Sequence, residues 1–260
     1  MLTPIFPTTL HQQVAELIRN YLLEIPAVDT VLVVNSCARG KATPESDLDF
    51  AILIKPGMAL TQKTDLENSY AAYLETQPAF LQYRQSGPYA LLHLDFIDGN
   101  YQPAKPEKGG PIDYFEIEIG NQICYSAPMA HAGSYFKELQ NRWLPYYNEN
   151  LRLQRLSIMR ASFEYDLQHI ELFVKRELYF HAFDLLYKCF QEYLQILFIS
   201  NKTYPIAYNK WIKEQIEECL KMPHLYPKLS HILSVKNIES NEIVEKASML
   251  RVLFSNLANT

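Results

Sequence analysis

The sequence predicts an α+β chain in two parts: a mixed α/β sheet with flanking helices over residues 1–127, and an all-α bundle over residues 128–260. Two observations carry this. Before about residue 127, β-branched apolar runs alternate with helical stripes, whereas after Gly133 only helical spacing occurs. No internal repeat or low-complexity tract complicates the division.

In chain order, Val14, Ile18 and Leu22 recur every four residues, a helix stripe that Thr9 and Gln12 are placed to cap and that Pro26 ends. Thr30–Val34 is a β-branched run of the kind that forms a buried strand. A polar stretch, 35–45, leads to Asp47–Ile54. There Leu48, Phe50, Ile52 and Ile54 share one face of a strand, and Asp47 and Asp49 share the other. Pro56-Gly57 stops it. A helix over 61–76 and a strand over 89–97 follow, closed by the turn Asp98-Gly99-Asn100. The Pro-, Lys- and Gly-rich loop 101–111 is expected to be mobile. Residues 112–125 read as one long strand or as a hairpin about Gly120-Asn121. Beyond Gly133, the sets Leu156, Phe163, Leu167, Ile170, Val174 and Phe183, Leu186, Phe190, Tyr193, Leu197 each hold helical spacing.

Composition excludes several functions. With 24 Lys+Arg against 29 Asp+Glu, the net charge of −5 gives no positive field to draw nucleic acid non-specifically. Only 8 of 260 residues are glycine, and neither G-x-G-x-x-G nor G-x-x-x-x-G-K-[ST] occurs. A dinucleotide fingerprint and a P-loop are both ruled out. Cys37, Cys124, Cys189 and Cys219 lie far apart with no C-x-x-C, which argues against a structural zinc site or a redox pair. The opening MLTPIFPTTLHQQ lacks a basic segment followed by an apolar one, and no apolar run approaches 18 residues. A cytoplasmic location is expected.

Chemistry concentrates between residues 33 and 50. Two aspartates on one strand face repel each other, so a cation is expected between them, and a hard divalent ion such as Mg²⁺ takes carboxylate oxygens while leaving positions for phosphate. Asp95, in a His-Leu-Asp-Phe-Ile strand, supplies a third carboxylate. Ser36 follows a strand end and opens a short helix over 37–41, where its hydroxyl and the Arg39 guanidinium can meet phosphate oxygens and Gly40 lets the loop turn. The same residues also fit a strand–turn–strand with surface acids, Arg39 pairing with Glu45.

The order Ser36-x-Ala38-Arg39-Gly40, then Ser46-Asp47-Leu48-Asp49, then a strand aspartate, resembles the signature of the polymerase-β-like nucleotidyltransferase superfamily over residues 10–125. Asn35 stands where that signature has glycine; asparagine tolerates left-handed backbone, but its side chain sits where a phosphate would approach. The helical part, through residues 197–211, is more loosely similar to the C-terminal domain of aminoglycoside nucleotidyltransferases. The resemblance implies transfer of a nucleoside monophosphate, AMP from ATP, to a hydroxyl of a small, aminoglycoside-like molecule, with pyrophosphate released. It implies two Mg²⁺ ions on Asp47, Asp49 and Asp95, with Asp95 also taking the acceptor's proton. Ser36, Arg39 and, from the second domain, Lys210 would hold the triphosphate. A regulatory or antitoxin-like module that modifies or binds a partner protein is the competing expectation.

Other marked residues have weaker claims. Arg176 and His181 match the Arg-x₄-His of HEPN ribonucleases, but five residues on one helix place them about 140° apart. Glu116 and Glu118 on one strand face would bind a second substrate or a metal, or simply form a polar strand edge. Tyr146-Tyr147 reads as interface lining.

Overall fold

In the computed structural model the structure is described for residues 2–57, 60–104 and 112–258. The chain forms two compact units, one of residues 1–102 and 118–145, the other of residues 103–117 and 146–260. The architecture is α+β, a four-stranded mixed sheet with flanking helices in the first unit and, among the described residues, helices alone in the second.

Helix α1 (Thr9–Leu23) is capped one residue earlier than expected: Thr8, not Thr9, is the N-cap, its hydroxyl accepting from the His11 amide. Val14, Ala15, Ile18 and Leu22 are wholly buried, so the four-residue stripe is the face that packs into the sheet core. Strand β1 (Val28–Val33) runs antiparallel to β2 (Leu48–Ile54), and β2 runs parallel to β3 (Leu92–Ile97), giving the order β3-β2-β1-β4 with the two-residue β4 (Ala127–Pro128) at the far edge. Between β1 and β2 the chain makes one short helix, α2 (Asn35–Arg39), two residues ahead of its expected start. Helix α3 (Leu60–Glu75) matches expectation. It is followed by α4 (Pro78–Gln85), which the periodicity did not reveal because it is only eight residues long and opens on proline. Of the loop 101–111, residues 105–111 lie outside the described residues.

The segment 112–125 corrects an expectation. It is helical, α5 (Phe115–Ile119) running into a π-helical turn at Gly120–Cys124, and neither a strand nor a hairpin. Its letters carry both periods: Ile117 and Ile119 alternate, yet Phe115, Ile119 and Ile123 stand four apart, and these three are its buried apolar side chains. Glu116 and Glu118 therefore do not share a face.

Helix α6 (Ser134–Trp143) closes the first unit. Asp29, beside a bulge in β1, accepts from the Tyr135 and Phe136 amides and so caps α6. Gly133 is required there, since a Cβ would lie 2.3 Å from the Asp29 carboxylate.

In the second unit the long helices α7 (Glu149–Lys175) and α8 (Tyr179–Ser200) pack along Phe163, Leu167, Ile170 and Val174 against Leu186, Phe190, Tyr193 and Leu197. The short α9 (Ile212–Glu214), with a π-helical turn behind it, α10 (Tyr226–Ile232) and α11 (Glu242–Ala258) complete the bundle. Arg176 caps α7 and Glu177 has φ +58°, so Arg176 and His181 fall on either side of a helix break rather than on one helix. No helix among the described residues is long and apolar enough to cross a membrane.

Candidate metal centre

Three side chains converge where β2 and β3 begin. Asp47 and Asp49 come from the entry to β2 and His93 from β3, and each offers a ligand atom within 4.8 Å of the others. The cause is strand register. In the parallel ladder Asp49 pairs with His93, and side chains paired across strands project to the same face. Nε2 of His93 stands 3.6 Å from Oδ2 of Asp47.

The ends of both strands are pinned from beneath. Buried His11, on α1, donates from Nε2 to the Ser46 carbonyl at 3.0 Å; a carbonyl only accepts, so that nitrogen carries the proton and Nδ1 meets the Thr8 hydroxyl at 2.7 Å. Tyr83, on α4 and fully buried, donates to the Leu91 carbonyl at 3.0 Å and packs edge-on to His11. Leu48 N–H also bonds to the Leu91 carbonyl. His11 and Tyr83 thus fix the residues immediately before Asp47 and before β3.

The segment joining β1 to α2, and α2 itself, pack on the same place. Val34 N–H bonds to the Asp49 carbonyl at 3.0 Å, and the Cys37 thiol lies 4.0 Å from the Asp47 carbonyl. Burial, then the charges of Asp49 and Asp47, push the Cys37 thiol up to about 12, so it stays protonated and the local field is negative. Asn35 adopts φ +55°, the left-handed turn expected of the residue standing in for glycine. Gly40, at φ +69°, ends α2, and a side chain there would meet Ile5 at 2.9 Å.

Of the residues singled out from sequence, Asp47 and Asp49 are together. Asp95 pairs with Ala51, two residues farther along β3 on the same face, roughly 6–7 Å from the His93 position, and it is exposed and outside the group of three. Ser36 is buried in α2, its hydroxyl bonded with the Cys37 thiol, and Arg39 is half-buried in the last turn of that helix. Lys210 is exposed in the second unit, in a turn whose carbonyl accepts from Gln215; its neighbour Trp211, also partly exposed, has φ +60°. Glu116 is wholly buried in an ion pair with Arg155 and so is no ligand for a second substrate.

His93 and the His11–Tyr83 pair are what sequence reading missed. A histidine alternating on a strand carries no signal by itself; only its register against Asp49 gives it one.

The donor set fits a divalent cation: two carboxylates that repel each other when ionised, and an imidazole nitrogen within reach of both. An imidazole ligand favours Mn²⁺ or a later transition ion over Mg²⁺, which prefers oxygen throughout. No protein-family model matches the chain, and no curated protein matches it.

Proposed function

We infer that the chain is a metal-dependent nucleotidyltransferase that moves a nucleoside monophosphate, AMP from ATP, to a hydroxyl of a small molecule. The observation that carries this reading is the convergence of Asp47, Asp49 and His93 on one sheet face, beside a loop that makes a left-handed turn at Asn35 and another at Gly40.

Asp47, Asp49 and His93 would hold the divalent cation, which when bound neutralises phosphate charge and favours the deprotonated acceptor oxygen. Arg39 and Ser36, on α2, would meet phosphate oxygens, with Lys210 the further cation that the resemblance implies. Asp95, exposed on the same face, is the acceptor for the hydroxyl proton. A bond then forms between that oxygen and the α-phosphorus, and the bond to the β-phosphate oxygen breaks to release pyrophosphate. A second cation would require Asp95 as an additional ligand.

The competing reading, a regulatory module that binds a partner protein, is favoured by one feature of the second unit. Between α10 and α11 lies an almost wholly apolar groove lined by Pro227, Ile232, Met249, Val252 and Leu253.

The first reading is tested by pyrophosphate release from ATP with Mg²⁺ or Mn²⁺ across a set of hydroxyl-bearing cationic acceptors. Asp49→Asn is expected to lower the rate at least about a hundredfold, the scale of several kcal/mol of charge stabilisation, with the fold intact by circular dichroism. Undiminished release in that variant refutes the role.

A further inference from the structure

Strand β3 stands at one end of the sheet order β3-β2-β1-β4, so one of its two edges is unpaired within the sheet. Which backbone groups line that edge follows from one bond. Leu48 N–H meets the Leu91 carbonyl at 3.0 Å, while Leu48 itself stands opposite Leu92. In a parallel ladder alternate residues turn their polar groups to the same side. His93 and Asp95 therefore turn theirs toward β2, and Leu92, Leu94 and Phe96 turn theirs outward. The Lys63 ammonium, from α3, reaches the Phe96 carbonyl at 3.0 Å on that outer side. The amides and carbonyls of Leu92 and Leu94 have no hydrogen-bond partner among the described residues.

The edge is also apolar underneath. Between β3 and helices α3 and α4 runs a groove of about 360 Å³, lined by Leu74, Phe80, Leu92, Leu94 and Phe96 among others. Leu92 and Leu94 are only half-buried there, whereas Leu48 and Phe50, opposite them in β2, are essentially inaccessible. A six-residue edge strand without proline, beside a half-covered apolar groove, is a template for another strand.

The letters of β3 select that strand. Leu92-His93-Leu94-Asp95-Phe96 is self-complementary about Leu94. Laid antiparallel across a two-fold axis, Leu94 faces the partner's Leu94 and Leu92 faces the partner's Phe96. His93 faces the partner's Asp95. Leu94 then exchanges both backbone bonds with its copy, and His93 with the partner's Asp95 forms the non-hydrogen-bonded pair, in which side chains come closest. Both side chains are exposed. A parallel pairing, or an antiparallel one centred on His93 or Asp95, sets one of these groups against its own copy. Centring on Leu92 or Phe96 leaves both without a complement. An imidazole N–H suits a carboxylate whether or not the ring is charged. With Nε2 of His93 standing 3.6 Å from Asp47, Nδ1 is the nitrogen left to donate, and a carboxylate there orients a metal-binding histidine. The second oxygen of Asp95 stays open to take a proton.

We propose that the chain forms a two-fold dimer through β3, joining two four-stranded sheets into one, with the partner's Asp95 orienting His93 at each metal centre. The pairing itself does not depend on the nucleotidyltransferase reading.

The test is sedimentation velocity of the full chain, without metal or nucleotide, over about 1–100 µM, the range of weak specific complexes. A concentration-dependent dimer is expected. The axis makes every change twice, so His93→Asp and Asp95→Lys should each weaken the dimer roughly tenfold or more. The double variant His93→Asp/Asp95→Lys should regain it, because aspartate again faces a cation. Both positions are exposed, and circular dichroism should show each variant folded. Asp49→Asn should dimerise as the natural chain does, which separates this pairing from failure of the nucleotidyltransferase reading. A chain that stays monomeric over the whole range overturns the proposal and leaves the edge to an extended segment of another protein. A dimer unchanged by both single variants, or no recovery in the double variant, overturns it as well.

Discussion

The chain gathers acidic side chains in two places and treats them oppositely. In the second unit, Glu116 and Asp113 surround Arg155: Nε and Nη2 meet the two Glu116 oxygens at 2.6 Å each, Nη1 meets Asp113 at 2.7 Å, and Tyr147 and Gln195 donate to the same Glu116 carboxylate. Arg155 and Glu116 are essentially inaccessible, and the guanidinium also covers the Phe115 ring. In the first unit, Asp47 and His93 are about half exposed, and with Asp49 they converge from two strands beside the Cys37 thiol, whose pKa is raised by burial first and then by the charges of Asp49 and Asp47. A buried arginine supplies its own cation and completes a structural network; two aspartates and an imidazole at a strand entrance make a set of donors for a cation from solution. Removing a member should therefore cost fold stability in one place and metal affinity in the other.

The largest expected effect is at the buried network. Arg155→Ala leaves Glu116 charged, desolvated and without its guanidinium, and should destabilise the fold by about 3–5 kcal/mol, measured as a shift in urea midpoint. A loss below about 1 kcal/mol would break the contrast. A smaller effect comes from a second buried acid. Glu192 on α8 bonds with Ser162 and lies against Asp166, which pairs with Lys188 at 2.7 Å. Burial, reinforced by the Asp166 charge, raises the Glu192 pKa well above the ordinary carboxylate value of 4.5. The folded state then keeps a proton that the unfolded chain gives up, so stability falls as pH rises from about 4.5 toward the folded value. Glu192→Gln should flatten that slope and make the protein more stable than the natural chain by about 1–2 kcal/mol at pH 8, read from melting temperature against pH. An unchanged slope would place the proton elsewhere.

How far the letters reach differs by element. The alternation of Leu48, Phe50, Ile52 and Ile54 is enough to put Asp47 and Asp49 opposite the core, because a strand period of two admits one arrangement once the apolar face is buried. Nothing local tells which residue of the next strand lies beside Asp49. That depends on a parallel register set by α3 and α4 between the two strands, and a two-residue shift separates His93 from Asp95 as the neighbour. The segment 112–125 was misread for a different reason: its apolar residues satisfy both a two-residue and a four-residue period, and burial of Glu116 against an arginine 39 residues away decides for the helix.

The account stands on Asp47, Asp49 and His93 acting together on a divalent cation. Electron paramagnetic resonance of Mn²⁺ titrated into the full chain measures this directly, without an acceptor or nucleotide. One tightly held ion per chain is expected, with Asp49→Asn and His93→Ala each weakening it by more than about tenfold while Asp95→Asn weakens it less. Mn²⁺ affinity indifferent to both Asp49 and His93 would contradict it.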